Sequence, residues 1–271
     1  MALFSKLKIN RGVMWEMMKE IRELVMLFVV ALCSKLTASS GKSMSIRKWQ
    51  MPEDSYCLSW RLGVETNNIR AWRIVPNQCL RYVENYMMLG QYERDVDLII
   101  DQVMDYVNDD VFLSNDGFDA WILDVDDTCI SNLFYYQRKR FGGDPYDPKG
   151  FKEWALKGVC AAIPGVLRLY SKLIKRGFRV FLVTGRSEVT FGQITLYNLQ
   201  SQGFVGYERL ICRSDEYKGM SAVTYKSEVR KKLVEEGYMI WGNIGDQWSD
   251  IQGEYIGNRT FKLPNPMYFV P

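Results

Sequence analysis

Asp124, Asp126, Thr184, Lys226, Asp246 and Asp250 are the residues whose types and order could do chemistry. Asp124-Val125-Asp126-Asp127-Thr128 sets two carboxylates two positions apart and adds a third. Thr184-Gly185-Arg186 follows, then Lys226, then Gly245-Asp246-Gln247-Trp248-Ser249-Asp250. An aspartate such as Asp124 can attack phosphorus and form an aspartyl phosphate. Nucleophile and phosphate are both anions, so a divalent cation must offset their repulsion. Mg²⁺ prefers oxygen ligands, which Asp124, Asp246 and Asp250 could supply. Asp126 can protonate the leaving alkoxide and then deprotonate the water that cleaves the intermediate. Thr184, the close-approach position Gly185 and the backbone amides after Asp124 can hold phosphoryl oxygens, and Lys226 can neutralise charge in the transition state.

Each piece alone also has a plainer reading. A DxDxT string is often a turn or a cap. Thr184 could cap a helix entry, Asp246 and Asp250 could cap the helix after them, and Lys226 could be a surface lysine like its neighbours. The order argues for the chemical reading, because each piece falls at the end of an expected strand or the start of an expected helix.

Those elements are legible from Gly117 onward. Buried strands are expected at Phe118 to Asp124 and Phe178 to Val183, a short one at Glu208 to Cys212, and others at Met239 to Ile244 and Arg259 to Leu263. Between them lie helical patterns at Gly165 to Arg176, Glu188 to Gln202 and Tyr225 to Glu236, closed by Gly177, Gly203 and Gly237. Strands separated by helices give an α/β fold, a parallel sheet with helices on both faces. Ligands then sit outside the carboxyl ends of the strands, where the candidate residues fall. Before this, Pro76 to about Asn108 reads as helical with a break at Gly90. Residues 34 to 53 read as a linker.

Composition narrows the classes. The chain has 271 residues and no histidine, which excludes a phosphohistidine, a Ser-His-Asp triad and any histidine-ligated metal. The net charge of +3 signals no nucleic-acid surface. None of the six cysteines forms a CxxC, so zinc and dithiol redox readings are weak.

The ordered quartet resembles the haloacid dehalogenase superfamily. Ser59-Trp-Arg-Leu-Gly-Val-Glu-Thr-Asn-Asn-Ile-Arg-Ala-Trp, Cys79-Leu-Arg-Tyr-Val, Tyr225-Lys-Ser-Glu and Gly242-Asn-Ile-Gly-Asp-Gln-Trp-Ser-Asp250 resemble the plant acid phosphatase and vegetative storage protein family, in the class B acid phosphatase branch. The resemblance runs from about Tyr56 onward. It implies a Rossmann-like core with a helical N-terminal extension, and Mg²⁺-dependent hydrolysis of small phosphomonoesters. It implies Asp124 as nucleophile, Asp126 as acid/base, phosphate binding at Thr184 and Lys226, and metal binding at Asp246, Asp124 and the Asp126 carbonyl, with Asp250 as an outer or water-mediated partner. The family also contains storage proteins with little or no activity. Such members can lose the nucleophile, whereas this chain keeps Asp124. A receiver domain uses Asp, Thr and Lys around a parallel sheet, but it would not need Asp126 or the Gly-Asp-x-x-x-Asp pair.

The N-terminus bears on location. Residues 24 to 33 form an apolar run preceded by basic residues and followed by Thr37-Ala38-Ser39-Ser40, the layout of a secretory signal peptide. The run is shorter than the ~20 residues a membrane span needs. Glu16, Glu20 and Glu23 leave an amphipathic helix or an uncleaved N-terminal membrane anchor as alternatives. A secreted, extracellular or vacuolar home, which the resemblance implies, favours the signal peptide. It gives weight to the Asn258-Arg259-Thr260 sequon and to a Cys57–Cys79 bridge within the extension. The expected organisation is a targeting segment with the start of a linker over 1–40, linker and helical extension over 41–117, and the phosphatase core over 118–271, with a homodimer as one assembly. About 55 residues separate Thr128 from Thr184, too few for a large cap there. Tyr135, Tyr136, Phe141, Tyr146, Phe151 and Trp154 in that insert could rim a pocket or simply pack.

Overall fold

In β1, Asp119–Asp124, all six residues are buried, as a central strand covered on both faces requires. This computed structural model describes Glu20, residues 53–114 and residues 116–271. The targeting segment and the linker lie outside the described residues, apart from Glu20 and the last linker residue, Glu53. No helix among the described residues is long and apolar enough to cross a membrane.

Five strands form one parallel sheet in the order β3-β2-β1-β4-β5, with β2 at Arg179–Ser187, β3 at Arg209–Arg213, β4 at Met239–Gly245 and β5 at Arg259–Lys262. Alternate residues of β1 serve two cores. Trp121 and Leu123 join the larger one. It includes residues of α1 (Glu53–Glu65), α2 (Leu80–Met88), α3 (Gln91–Asp109), α6 (Pro164–Arg176) and α7 (Glu188–Ser201). Ala120 and Ile122 face the smaller core with Tyr225, Val229 and Leu233 of α8 (Ala222–Glu235). Two short helices, α4 (Leu133–Arg138) and α5 (Pro148–Ala155), fill the insert after β1.

The expected elements are present, and two boundaries shift notably. Strand β2 continues past Val183 through Thr184-Gly185-Arg186, because Ser187 pairs again with Arg213 of β3 after a register shift. Helix α8 begins at Ala222, since the Ser221 hydroxyl caps the Thr224 amide. Lys226 therefore stands in its second turn and not at its N-terminus. The break at Gly90 is a left-handed residue (φ +86°) between α2 and α3, a conformation glycine adopts without steric cost. A disulfide joins Cys57 of α1 to Cys79, just before α2. Asn258 is exposed in the loop preceding β5.

Candidate active site

Strands β1 and β4 are neighbours, and the chain leaves β1 toward β2 on one side while β4 lies on the other. A crevice therefore opens at their carboxyl ends. Asp124 is the last residue of β1, and the register sets it beside Val183 of β2. Asp246 follows the last residue of β4. Asp250 lies on α9, the single turn Trp248–Ile251. A Cβ at Gly245 would fall 2.3 Å from the Asp250 Cβ, so only glycine lets α9 fold back against the strand end.

Asp124, Asp246 and Asp250 are all buried, and each can offer an oxygen within 4.8 Å of the others. Lys226 is buried among them. Its ammonium donates to Asp124 Oδ1 and, at 2.6 Å, to Asp250 Oδ1. The other Asp250 oxygen accepts the Gln247 amide at 2.9 Å, so Asp250 both caps α9 and pairs with the lysine. The Asp246 amide donates to Thr128 Oγ1 at 3.0 Å. Asp246 Oδ2 accepts from Gln247 Nε2 at 2.8 Å and Asn265 Nδ2 at 2.6 Å.

Asp126 points to the other side of the crevice. Arg186 donates to it from Nη2 (2.7 Å to Oδ1) and Nε (3.0 Å to Oδ2), Asn132 Nδ2 at 2.8 Å and Thr184 Oγ1 at 3.2 Å. Gly185 is exposed, and a Cβ there would meet nothing within 4 Å, so the approach beside it is open. Asp127 has φ +54° and accepts from the Asn132 amide at 2.8 Å and the Tyr268 hydroxyl at 2.8 Å, which makes it the tie of the turn.

The electrostatics divide the carboxylates. Burial, and then the charge of Asp250, push Asp124 well above the usual range against the pull of Lys226. Burial, then Asp250 and Asp127, push Asp246 up to about 7. Burial also raises Asp126, but the Arg186 charge and the bonds from Arg186, Asn132 and Thr184 outweigh it and hold this carboxyl below its ordinary value. Burial alone would lower Lys226, but Asp124 and Asp250 hold it protonated. Three buried carboxylates thus lie together, and the Lys226 ammonium pairs with only two of them, Asp124 and Asp250. That surplus of negative charge, carried on oxygen, fits a hard divalent cation.

The sequence profile of the HAD superfamily, subfamily IIIB (Acid phosphatase), matches residues 42–271. The chain belongs to this acid phosphatase family. Among relatives of the family, "Acid phosphatase 1" of Solanum lycopersicum is 43% identical over 82% of this chain and 86% of its own length. "Vegetative storage protein 2" of Arabidopsis thaliana is 39% identical over 79% of this chain and 80% of its own. A class C acid phosphatase from Bacillus anthracis, crystallised with tungstate, matches in structure with a TM-score of 0.58 at 20% identity, over 71% of this chain and 85% of that one. At that identity the likeness speaks for the fold.

The predicted site residues of this family member fall into two groups joined by contacts at the strand ends. Asp124, Lys226, Asp246 and Asp250 form one cluster, while Asp126, Thr184 and Gly185 form its neighbour. Sequence reasoning gave no part to Arg186, Asn132, Asn265 or Tyr268. The first is flagged only by following Thr184-Gly185, and Asn265 only by standing as a polar residue between Pro264 and Pro266. Of the insert aromatics, Tyr135, Tyr136, Phe141 and Trp154 are buried, and the Trp154 Nε1 donates to Asn132 Oδ1 at 3.0 Å. Their part is packing behind the site. Tyr146 is exposed.

Proposed function

We infer that the chain hydrolyses small phosphate monoesters through an aspartyl phosphate, with Mg²⁺ as the cation. One observation carries this: the Asp124 carboxylate stands at the end of β1, paired with a buried lysine, with a second carboxylate two residues on. In the first step Asp124 attacks phosphorus. The new P–O bond forms as the ester P–O bond breaks, and a proton from Asp126 goes to the leaving alkoxide. In the second step Asp126 takes a proton from water, whose oxygen attacks phosphorus. This frees phosphate and restores Asp124. Thr184, Gly185 and the backbone after Asp124 would seat the phosphoryl oxygens, with Lys226 offsetting charge.

The Arg186 pair keeps Asp126 ionised in the free protein. A bound phosphate dianion would raise its proton affinity by like-charge repulsion, so the acid form becomes accessible in the complex. Asp124, Asp246 and the Asp126 carbonyl would hold the metal, with Asp250 behind them. When bound, the metal offsets the repulsion between nucleophile and phosphate.

The storage-protein relatives favour a second reading, in which the fold is kept with little or no activity. Assay of p-nitrophenyl phosphate with Mg²⁺ separates the two. The expected result is turnover by the wild type and none by a folded Asp124→Asn protein. A folded wild type with no Mg²⁺-dependent turnover of any simple phosphomonoester supports storage. The Cys57–Cys79 bridge, the exposed Asn258 sequon and relatives named as storage proteins and as stem glycoproteins support a secreted or vacuolar location.

A further inference from the structure

The segment after β5 reaches the strand-end carboxylates, with Asn265 bonded to Asp246 and Tyr268 to Asp127. Asn265 is buried and donates from Nδ2 to Asp246 Oδ2 at 2.6 Å. Its Oδ1 accepts the Met267 amide at 2.9 Å. An amide has one accepting and one donating end, so the Met267 N–H fixes which end faces Asp246. Gln247 is set in the same way. Its Oε1 accepts the Val270 amide at 3.0 Å, leaving Nε2 to donate to Asp246 Oδ2 at 2.8 Å. Two backbone N–H groups of this segment thereby aim two side-chain amides at a single carboxylate oxygen. Among the described residues, the other oxygen, Oδ1, meets only the Thr128 hydroxyl, at 3.4 Å.

Three residues on from Asn265, Tyr268 stacks on Tyr136, with centroids 4.7 Å apart and planes at 11°. Its hydroxyl donates to Asp127 Oδ2 at 2.8 Å. Asp127 occupies the left-handed turn next to Asp126, and Asn132 bonds both carboxylates. Met267 lies over the turn at Gly142, where a Cβ would come within 1.9 Å of the Met267 carbonyl oxygen.

We propose that Asn265 and Tyr268 are positioning residues of the active site. Asn265 occupies one oxygen of Asp246 so that the other is presented to the divalent cation. Tyr268 fixes the turn that aims Asp126. This rests on the metal-site reading above. Outer partners of this kind orient ligands, and their loss weakens metal affinity about 10–100-fold.

The test is Mg²⁺ binding by calorimetry on the substrate-free, full-length protein, with circular dichroism to check the fold. Asn265→Ala is expected to bind Mg²⁺ about 10–100-fold more weakly than wild type. Tyr268→Phe keeps the stacked ring and is expected to keep Mg²⁺ affinity and KM while kcat falls about tenfold. A folded Asn265→Ala protein with wild-type Mg²⁺ affinity overturns the Asn265 assignment and leaves the metal reading standing. A wild type that binds no Mg²⁺ overturns that reading and this one with it. Tyr268→Phe removes one oxygen, and unchanged kcat in it overturns the Tyr268 assignment. Should Asn265→Ala fail to fold, Asn265→Ser, which also lacks the amide donor, is titrated with Mg²⁺ in its place, and wild-type affinity there overturns the Asn265 assignment.

Discussion

Arg186 grips Asp126 with two nitrogens, Nη2 at 2.7 Å from Oδ1 and Nε at 3.0 Å from Oδ2. The guanidinium side chain is almost fully buried, while the carboxylate keeps a 21% exposed face toward the crevice. The carboxylate proposed here as acid and base is thus held in its charged form by a fixed cation.

Replacing that cation should move the pH profile. Arg186→Met removes the charge and the bonds that hold Asp126 low, so its proton affinity rises. The alkaline limb of kcat/KM, which reports the acid of the free enzyme, is expected to move up by about 1–3 pH units. A limb that stays in place in a folded variant would remove Asp126 from the role of acid.

Lys226→Met tests the second cluster. The lysine stands between Asp124 and Asp250, and its loss leaves two buried carboxylates unpaired. Metal-free protein should lose about 3–5 kcal/mol of stability in urea titration. With Mg²⁺ present, kcat/KM should fall at least ~100-fold. Wild-type kcat/KM would show that the lysine has only a structural part.

Two further buried carboxylates give the metal-free protein an unusual pH dependence. Asp246 is pushed up to about 7 and Asp127 to about 6, both chiefly by burial. A carboxyl whose folded value lies above its unfolded value binds more protons when folded. Its stabilisation is complete below the unfolded value and is lost as pH rises through the folded one. In EDTA, calorimetry should therefore show Tm falling between about pH 4 and about pH 7. Asp126 is held low, so its own contribution is lost only at more acidic pH. Mg²⁺ should restore Tm most strongly above about pH 7, where it no longer competes with protons. A Tm that rises across this interval in EDTA contradicts the burial of these groups.

How much of this was legible follows from how local each signal is. Runs such as Trp121-Ile122-Leu123 and Val180-Phe181-Leu182-Val183 read as buried strands because every residue in them is apolar. The stops at Gly177, Gly203 and Gly237 are left-handed residues that only their own position needs to explain. Helix α1 was harder to see. Leu58 and Leu62 are exposed while Trp60 and Val64 are buried, so apolar residues lie on all sides and the period blurs. The motif carboxylates were found by type and order. The Tyr268 contact with Asp127 spans 141 positions and the Arg186 contact with Asp126 spans 60, and no local pattern encodes which distant polar group will fill a carboxylate's valences.

The pairing of Lys226 with Asp124 joins residues 102 positions apart, brought together by parallel strands that need long crossovers between them. Such topology has a high contact order and closes its longest loops last, which slows folding. No short stretch of the chain holds enough of the carboxylate cluster to seize a cation early. Uptake of the proposed ion would then come late and report a finished sheet. A pulse of Mg²⁺ during refolding would mark the moment of closure without hastening it.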